Sequence, residues 1–353
     1  MASSAVTTVP VKPGRTRGRA RLVLSRLLFL VAALFGVVTL SFLLVSVTPG
    51  DPAETIAGPI AGDEQVEAVR VELGLDKPIG ERYVDYMSGL FRGDLGDSYY
   101  SKQSVTSEIA DKLPPTLLLI VLSILVAAAI GITVGTTGAY FRGRWPDRVT
   151  RLGTGVFQAV PDFLLGLLLI YFLFFVLGIA PSPTGQLGIA DLPPPKKTGM
   201  VPVDALIAGD IGAFTSSMSH HFLPVLTLGL VYAAYFAKTA RSTVGKALNS
   251  QQAQFARALG LPERTVVRYA FVESRTTIVT YAGVIFATLF GGEAIVERIF
   301  AWDGLGQWAL NGILRLDVPV VQGMVLVAGS ITLITYTLLD IIVGLLDPRI
   351  SRA

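Results

Sequence analysis

The sequence predicts an all-α polytopic membrane protein with six transmembrane helices, and three observations carry that expectation. Mean hydropathy is +0.60 and only 16% of the 353 residues are charged, against about a quarter in a soluble globular chain. The apolar residues gather into runs long enough to cross a bilayer core of about 30 Å, which takes about 20 residues of helix. Helix is the form expected, because lipid offers a bare backbone N–H or C=O no partner. The loops between the runs alternate in charge, which the overall balance of 29 Lys and Arg against 26 Asp and Glu conceals. That near-neutral balance gives nucleic acid no basic surface to bind. The absence of cysteine excludes disulfides, thiolate metal sites and cysteine nucleophiles.

Residues 1–26 read as a basic tail, and Leu27 to Val47 is the first span, ending at Thr48-Pro49-Gly50-Asp51-Pro52. A basic flank before an apolar run also suits a signal peptide, whose apolar region is about 7 to 15 residues. This run is longer and lacks a small-x-small cleavage site, so an uncleaved span is expected. Residues 48–113 form an extracytoplasmic segment whose charges, turn residues and apolar stretch from Tyr83 to Phe91 suggest a small folded element. The core, residues 114–346, holds the other five spans. The second, 116–140, opens at Pro114-Pro115 and contains Gly131-x-x-x-Gly135, a spacing that lets two helices approach closely. The third, 152–180, is interrupted by Pro161-Asp162. The fourth, 222–241, is short and reaches the interface through Lys238 and Arg241. The fifth, 276–296, takes its last turn from Glu293-Ala294-Ile295-Val296. The sixth, 318–346, runs past Asp340, and residues 347–353 are a second tail.

Charge placement orients these spans. Segments 1–26, 141–151, 238–275 and 347–353 carry 19 Lys and Arg with four acids, whereas 48–113, 181–220 and 293–317 carry 10 with 20 acids. The positive-inside bias places both termini and the loop 242–275 in the cytoplasm.

Catalytic motifs are missing. Val244-Gly245-Lys246 lacks the earlier glycine and the following Ser or Thr of a phosphate loop, and neither a zinc-protease pattern nor a nucleophile elbow occurs. His220 and His221 are sequence neighbours, which do not face one site, so no metal site is expected. No catalytic residue is assigned, and an enzyme is not expected. In the loop, Leu248, Phe255, Ala256 and Leu259 fall at helical spacing on one face. Gly260 can end that helix in the left-handed conformation, and Pro262 suits the first turn of the next. Periodicity alone leaves two readings open: a docking knob for a cytoplasmic partner, or an amphipathic segment lying on lipid.

Ala256-Arg257-Ala258-Leu259-Gly260, between two spans, resembles the cytoplasmic loop of binding-protein-dependent ABC importer permeases. Further landmarks resemble the dipeptide/oligopeptide/nickel permease family in order. They are Pro49-Gly50-Asp51-Pro52, Leu73-Gly74-Leu75-Asp76, Gly93-Asp94-Leu95-Gly96, His220 with Leu223-Pro224, Gly291-Gly292 with Glu297, Gly304-Leu305-Gly306, Pro319-Val320-Val321-Gln322-Gly323 and Leu346-Asp347-Pro348-Arg349. The resemblance covers the chain from about residue 22 to its end and points to the first of two permease subunits. It implies a type I ABC importer permease fold in a bacterial cell membrane. It also implies a second permease, two ATP-binding subunits that hold ATP and Mg, and an extracytoplasmic substrate-binding protein, with no cofactor in this chain. Phe255, Ala256, Arg257, Ala258, Leu259 and Gly260 would then form the ATPase-coupling loop. Where this family has an acidic residue and a tyrosine, this chain has Gln251-Gln252, and Tyr269 stands where the family has a histidine.

Intramembrane charge suggests function. Asp162, after Pro161, would line the pathway or cap a broken helix. Glu293 and Glu297, one turn apart, would face substrate or binding protein, or sit at the interface. The expected cargo is a di- or oligopeptide, with nickel or another small solute as the family's alternative. A different class of reading is an ion-coupled secondary transporter using Asp162 and Asp340.

Overall fold

The computed structural model describes residues 15–47 and 50–346, with side chains from residue 28 onward. Most of the basic tail's start, the Pro49 landmark, the 347–353 tail and its Asp347-Pro348-Arg349 landmark lie outside the described residues. Among the described residues the chain is mainly helical, and its only extended pairing is an isolated bridge between Asp97 and Ser104.

The first helix, α1 (Arg15–Val47), is followed by three short helices, α2 (Pro52–Ala57), α3 (Asp63–Glu72) and α4 (Ile79–Phe91). These fold the stretch between α1 and α5 back onto the apolar core. Tyr83 of α4 bonds Thr39 of α1 at 2.8 Å, and Phe42 packs edge-on to Tyr83 with centroids 5.2 Å apart. Ser98 donates to Asp317 Oδ2 at 2.6 Å, tying the same segment to the far end of the sequence.

The long helices follow: α5 (Val105–Tyr140), α6 (Trp145–Ala159), and α7 (Asp162–Leu169) with its π-helical continuation Ile170–Val176. Then come α8 (Val201–Ala208), α9 (Ile211–Leu248), α10 (Gln251–Ala258), α11 (Glu263–Gly292), α12 (Ala294–Ile299), α13 (Leu305–Leu314) and α14 (Val318–Leu346). Among the described residues four helices are long and apolar enough to cross a membrane: Leu28–Val47, Val105–Tyr140, Ile211–Leu248 and Val318–Leu346. The pair Trp145–Ala159 and Asp162–Val176 would make a fifth, bent by 99° at the break. Val160 and Pro161 form that break in extended geometry, because proline denies the helix an N–H and pushes its predecessor out of the helical region. Charges at Glu263, Arg264, Arg268, Glu273 and Arg275 fill the first turns of α11 and leave its apolar part to the last half.

Helix bounds exceed the apolar runs where capping lets helix continue through polar residues. Asp210 accepts from Ala213 N at 2.9 Å, starting α9 well before residue 222. Pro114-Pro115 does not open α5 but lies inside it; the Pro115 carbonyl accepts from the Trp302 indole at 3.3 Å. α5 and α9 are the principal packed pair. Gly131 and Gly135 face α9 so closely that a Cβ on Gly131 would sit 2.5 Å from the Ala233 carbonyl oxygen, and one on Gly135 would strike that of Ala237. Leu119, Ile120, Leu228 and Phe236 fill the core beside this seam.

Candidate coupling loop and buried carboxylates

The loop between α9 and α11 is built by three caps. Ser250 ends the α9 side and starts α10, its hydroxyl accepting from Ala253 N at 3.3 Å. At the other end Gly260 has φ 77°, with Gly260 N donating to Arg257 O at 2.9 Å and Leu261 N to Ala256 O at 3.2 Å. That is the paired bonding of a Schellman motif, whose left-handed residue favours glycine. Pro262 then caps α11, so the second helix after the bend is the start of the long helix itself.

The expected apolar face divides. Leu248 ends α9 and Ala256 lies in α10, both buried with Ala253, Val266 and Ala270, whereas Phe255 and Leu259 are each 65% exposed. The turn at Asn249-Ser250 breaks the helical phase that the spacing assumed. Ala258 and Gly260 are exposed beside them. Arg257 turns inward to the loop: its Nη1 donates to Leu248 O at 2.9 Å, and its Nε pairs with Glu263 Oε1 at 2.7 Å. The hydrogen bond and charge of Glu263 raise the Arg257 pKa above its usual value, and Arg257 in turn lowers that of Glu263. One guanidinium thus staples the end of α9, α10 and the start of α11. At the base of the loop Arg241 Nε donates to Asp147 Oδ1 at 2.5 Å, and Gly143 N donates to Oδ2 at 3.0 Å.

The acids gather at the opposite end of α11. That helix has 30 residues, so its ends stand about 45 Å apart at 1.5 Å per residue. Asp162 starts α7 half-buried, its Oδ1 accepting from Phe163 N at 2.7 Å. Glu293, in the break between α11 and α12, is 4% exposed; Tyr232 donates to its Oε1 at 3.4 Å, and its Oε2 has no partner among the described residues. Glu297 is fully buried, accepting from the Thr116 hydroxyl at 2.5 Å and from Gln307 N at 2.7 Å. Burial pushes the Glu297 carboxyl up to about 7, against the lowering effect of Thr116 and the Gln307 and Gly306 amides. Glu297 therefore locks α5, α12 and α13 together. Asp340 lies on an exposed face of α14.

The structure supplies residues that periodicity missed. The contacts of Asp147 with Arg241, of Thr116 with Glu297 and of Trp302 with Pro115 join residues distant in sequence, and no local spacing marks them. His221 is buried, its Nδ1 is 2.7 Å from Ser217 O, and its ring meets Trp302 edge-on at 4.6 Å. Among the described residues no group of His, Cys, Asp and Glu could hold a metal.

Two family models match along the chain. Residues 19–120 match the N-terminal part of a binding-protein-dependent transport system membrane component. Residues 127–352 match the binding-protein-dependent transport system inner membrane component. The chain belongs to this permease family. It is 34% identical over 330 residues to the Di/tripeptide transport system permease protein DppB of Pseudomonas aeruginosa (strain UCBPP-PA14), covering 93% of this chain and 97% of that protein. The Probable D,D-dipeptide transport system permease protein DdpB of Escherichia coli (strain K12) is 35% identical over 324 residues, covering 92% of this chain and 95% of that protein. The Glutathione transport system permease protein GsiC of Escherichia coli O6:H1 is 34% identical over 329 residues, covering 93% and 98%. Among solved structures, the MetNI methionine ABC transporter in inward-facing conformations aligns with TM-score 0.46 at 18% identity, covering 66% of this chain and 93% of that one. As a family member the permease is a multi-pass inner-membrane transport component.

Proposed function

We propose that the permease is one of two membrane subunits of an ATP-driven importer for short peptides. In this reading the chain crosses the membrane six times with both termini cytoplasmic. A second permease completes the pathway, two ATP-binding subunits dock below, and an extracytoplasmic binding protein delivers the peptide. The observation that carries the substrate class is the near end-to-end likeness to permeases named for di- and tripeptides, D,D-dipeptides and glutathione.

The chain's own part follows from its loop. Phe255, Ala258, Leu259 and Gly260 form the exposed rim of a short helix held to α9 and α11 by Arg257. Small residues there let a partner's backbone come close. Because α11 continues from the loop through its apolar half, a push on α10 moves the whole helix as a rigid body rather than being absorbed in a flexible link.

The test is uptake of a labelled dipeptide by a strain lacking the gene, complemented by wild-type or by Gly260→Trp. Wild-type should restore uptake. Gly260→Trp should abolish uptake and the binding protein's stimulation of ATP hydrolysis in the purified complex while leaving subunit assembly measurable. Undiminished uptake of dipeptide by the uncomplemented strain would remove the peptide assignment. Full stimulation in Gly260→Trp would remove the docking role.

A further inference from the structure

At the loop end of the α5–α9 pair lies a cavity of about 150 Å³, lined by Ala139, Arg142, Arg241, Ser242 and Lys246. Three of its five lining residues are cationic. The acid beside it, Asp147, has both oxygens engaged, one by Arg241 Nε and the other by the Gly143 amide. That leaves the charges of Arg142 and Lys246 uncompensated: among the described residues neither they nor the Ser242 hydroxyl has a hydrogen-bonding or ionic partner. Of the Arg241 guanidinium only Nε is used among the described residues. A small recess with two free cations, spare guanidinium donors and a hydroxyl has the chemistry of a phosphate site.

Its level in the bilayer says where the phosphate comes from. The recess sits where α5 ends at Tyr140, and Tyr140 and Trp145 are exposed on either side of the connecting turn, 43% and 75%. Exposed tyrosine and tryptophan at the end of a span mark the headgroup layer. Cations at that level attract anionic lipid. We propose that this recess binds the phosphate of an anionic phospholipid, bridging the ends of α5 and α9 at the root of the coupling loop. The proposal needs the spans to cross the bilayer, but it does not depend on the peptide assignment or on which leaflet the recess faces.

The test is native mass spectrometry of the full-length chain in neutral detergent, titrated with phosphatidylglycerol, phosphatidylcholine or inorganic phosphate. Phosphatidylglycerol should bind at least about tenfold more tightly than phosphatidylcholine, since each Lys or Arg near an anionic surface contributes about 1 kcal/mol. The double variant Arg142→Gln/Lys246→Gln should lose that preference, and Lys246→Arg should keep it. Should the double variant fail to fold, Lys246→Gln alone, an exposed position, must still weaken phosphatidylglycerol. Equal binding of the two lipids, or an unchanged preference in the variants, overturns the site. Displacement of phosphatidylglycerol by equimolar inorganic phosphate overturns the lipid as its source. A double variant that keeps the lipid but no longer retains the ATP-binding subunits assigns the cations to a protein interface and also overturns the proposal.

Discussion

Glu297 shows how one buried carboxylate can hold three helices and make their packing depend on pH. Both of its oxygens accept hydrogen bonds, from Thr116 and from the Gln307 amide, yet burial is the larger influence and its pKa rises from 4.5 to about 7. The folded state therefore holds a proton that the unfolded chain releases near 4.5. The stabilisation that proton brings is complete below that value and is lost as pH rises through 7. Between pH 5 and 8 the wild-type should lose on the order of 2 kcal/mol of stability from this group, measured as a fall in thermal midpoint in detergent. Glu297→Gln, which keeps the shape without the charge, should remove this group's share of the slope, and a slope unchanged by the substitution would contradict the assignment. Glu297→Ala should cost more at every pH, about 1–3 kcal/mol for each donor left without a partner. At the other end of α11, Arg257→Ala should loosen α10 and lower ATPase stimulation in the assembled complex. Arg257→Lys should recover little, because a lysine cannot reach Glu263 and the Leu248 carbonyl with one planar fork.

The α5–α9 seam is where element-scale energetics concentrate. Gly131→Ala places a methyl 2.5 Å from the Ala233 carbonyl, and forcing the backbones apart should cost about 1–3 kcal/mol. Gly153→Ala in α6 meets nothing within 4 Å and should instead stabilise its helix by about 0.5–1 kcal/mol. The two together, read by thermal unfolding in detergent, separate helix propensity from close approach. Gly131 and Gly135 were legible as a pair from their spacing, but their partner α9 was not, since any of the other helices could have supplied the facing surface. The apolar runs revealed the membrane-crossing middles of helices and not their ends, because Asp210 and other polar residues carry α9 and α11 beyond the lipid-compatible stretch. Pro161 was legible as an interruption, whereas the 99° bend depends on how α7 packs against α9 and α12 and is written in no local pattern. In the candidate loop the Gly260 bend was legible because only a left-handed residue needs glycine. The inward turn of Arg257 was not, since it requires the end of α9 and the start of α11 to meet.

Across the whole molecule the charge asymmetry makes the orientation testable. The four segments that a six-span reading puts on one side hold 19 Lys and Arg with four acids, and the three it puts on the other hold 10 with 20 acids. Among the described residues four or five spans are evident by length and composition, and the sixth rests on counting the apolar half of α11. With the bent pair counted as one crossing, residue 101 and residue 252 fall on opposite sides: the first in the segment between α4 and α5, the second in α10. Both positions are exposed, and the chain has no cysteine, so Ser101→Cys and Gln252→Cys each introduce a single thiol with no background. In intact cells a membrane-impermeant maleimide should label Ser101→Cys, while Gln252→Cys should react only after lysis. From Ser101 to Gln252 the chain passes α5, the bent pair and α9. Three crossings put the two positions on opposite sides, whereas a bent pair that re-enters its own side leaves two crossings and the same side. Labelling both thiols in intact cells would therefore make α6 and α7 a re-entrant hairpin and bring the span count down to five.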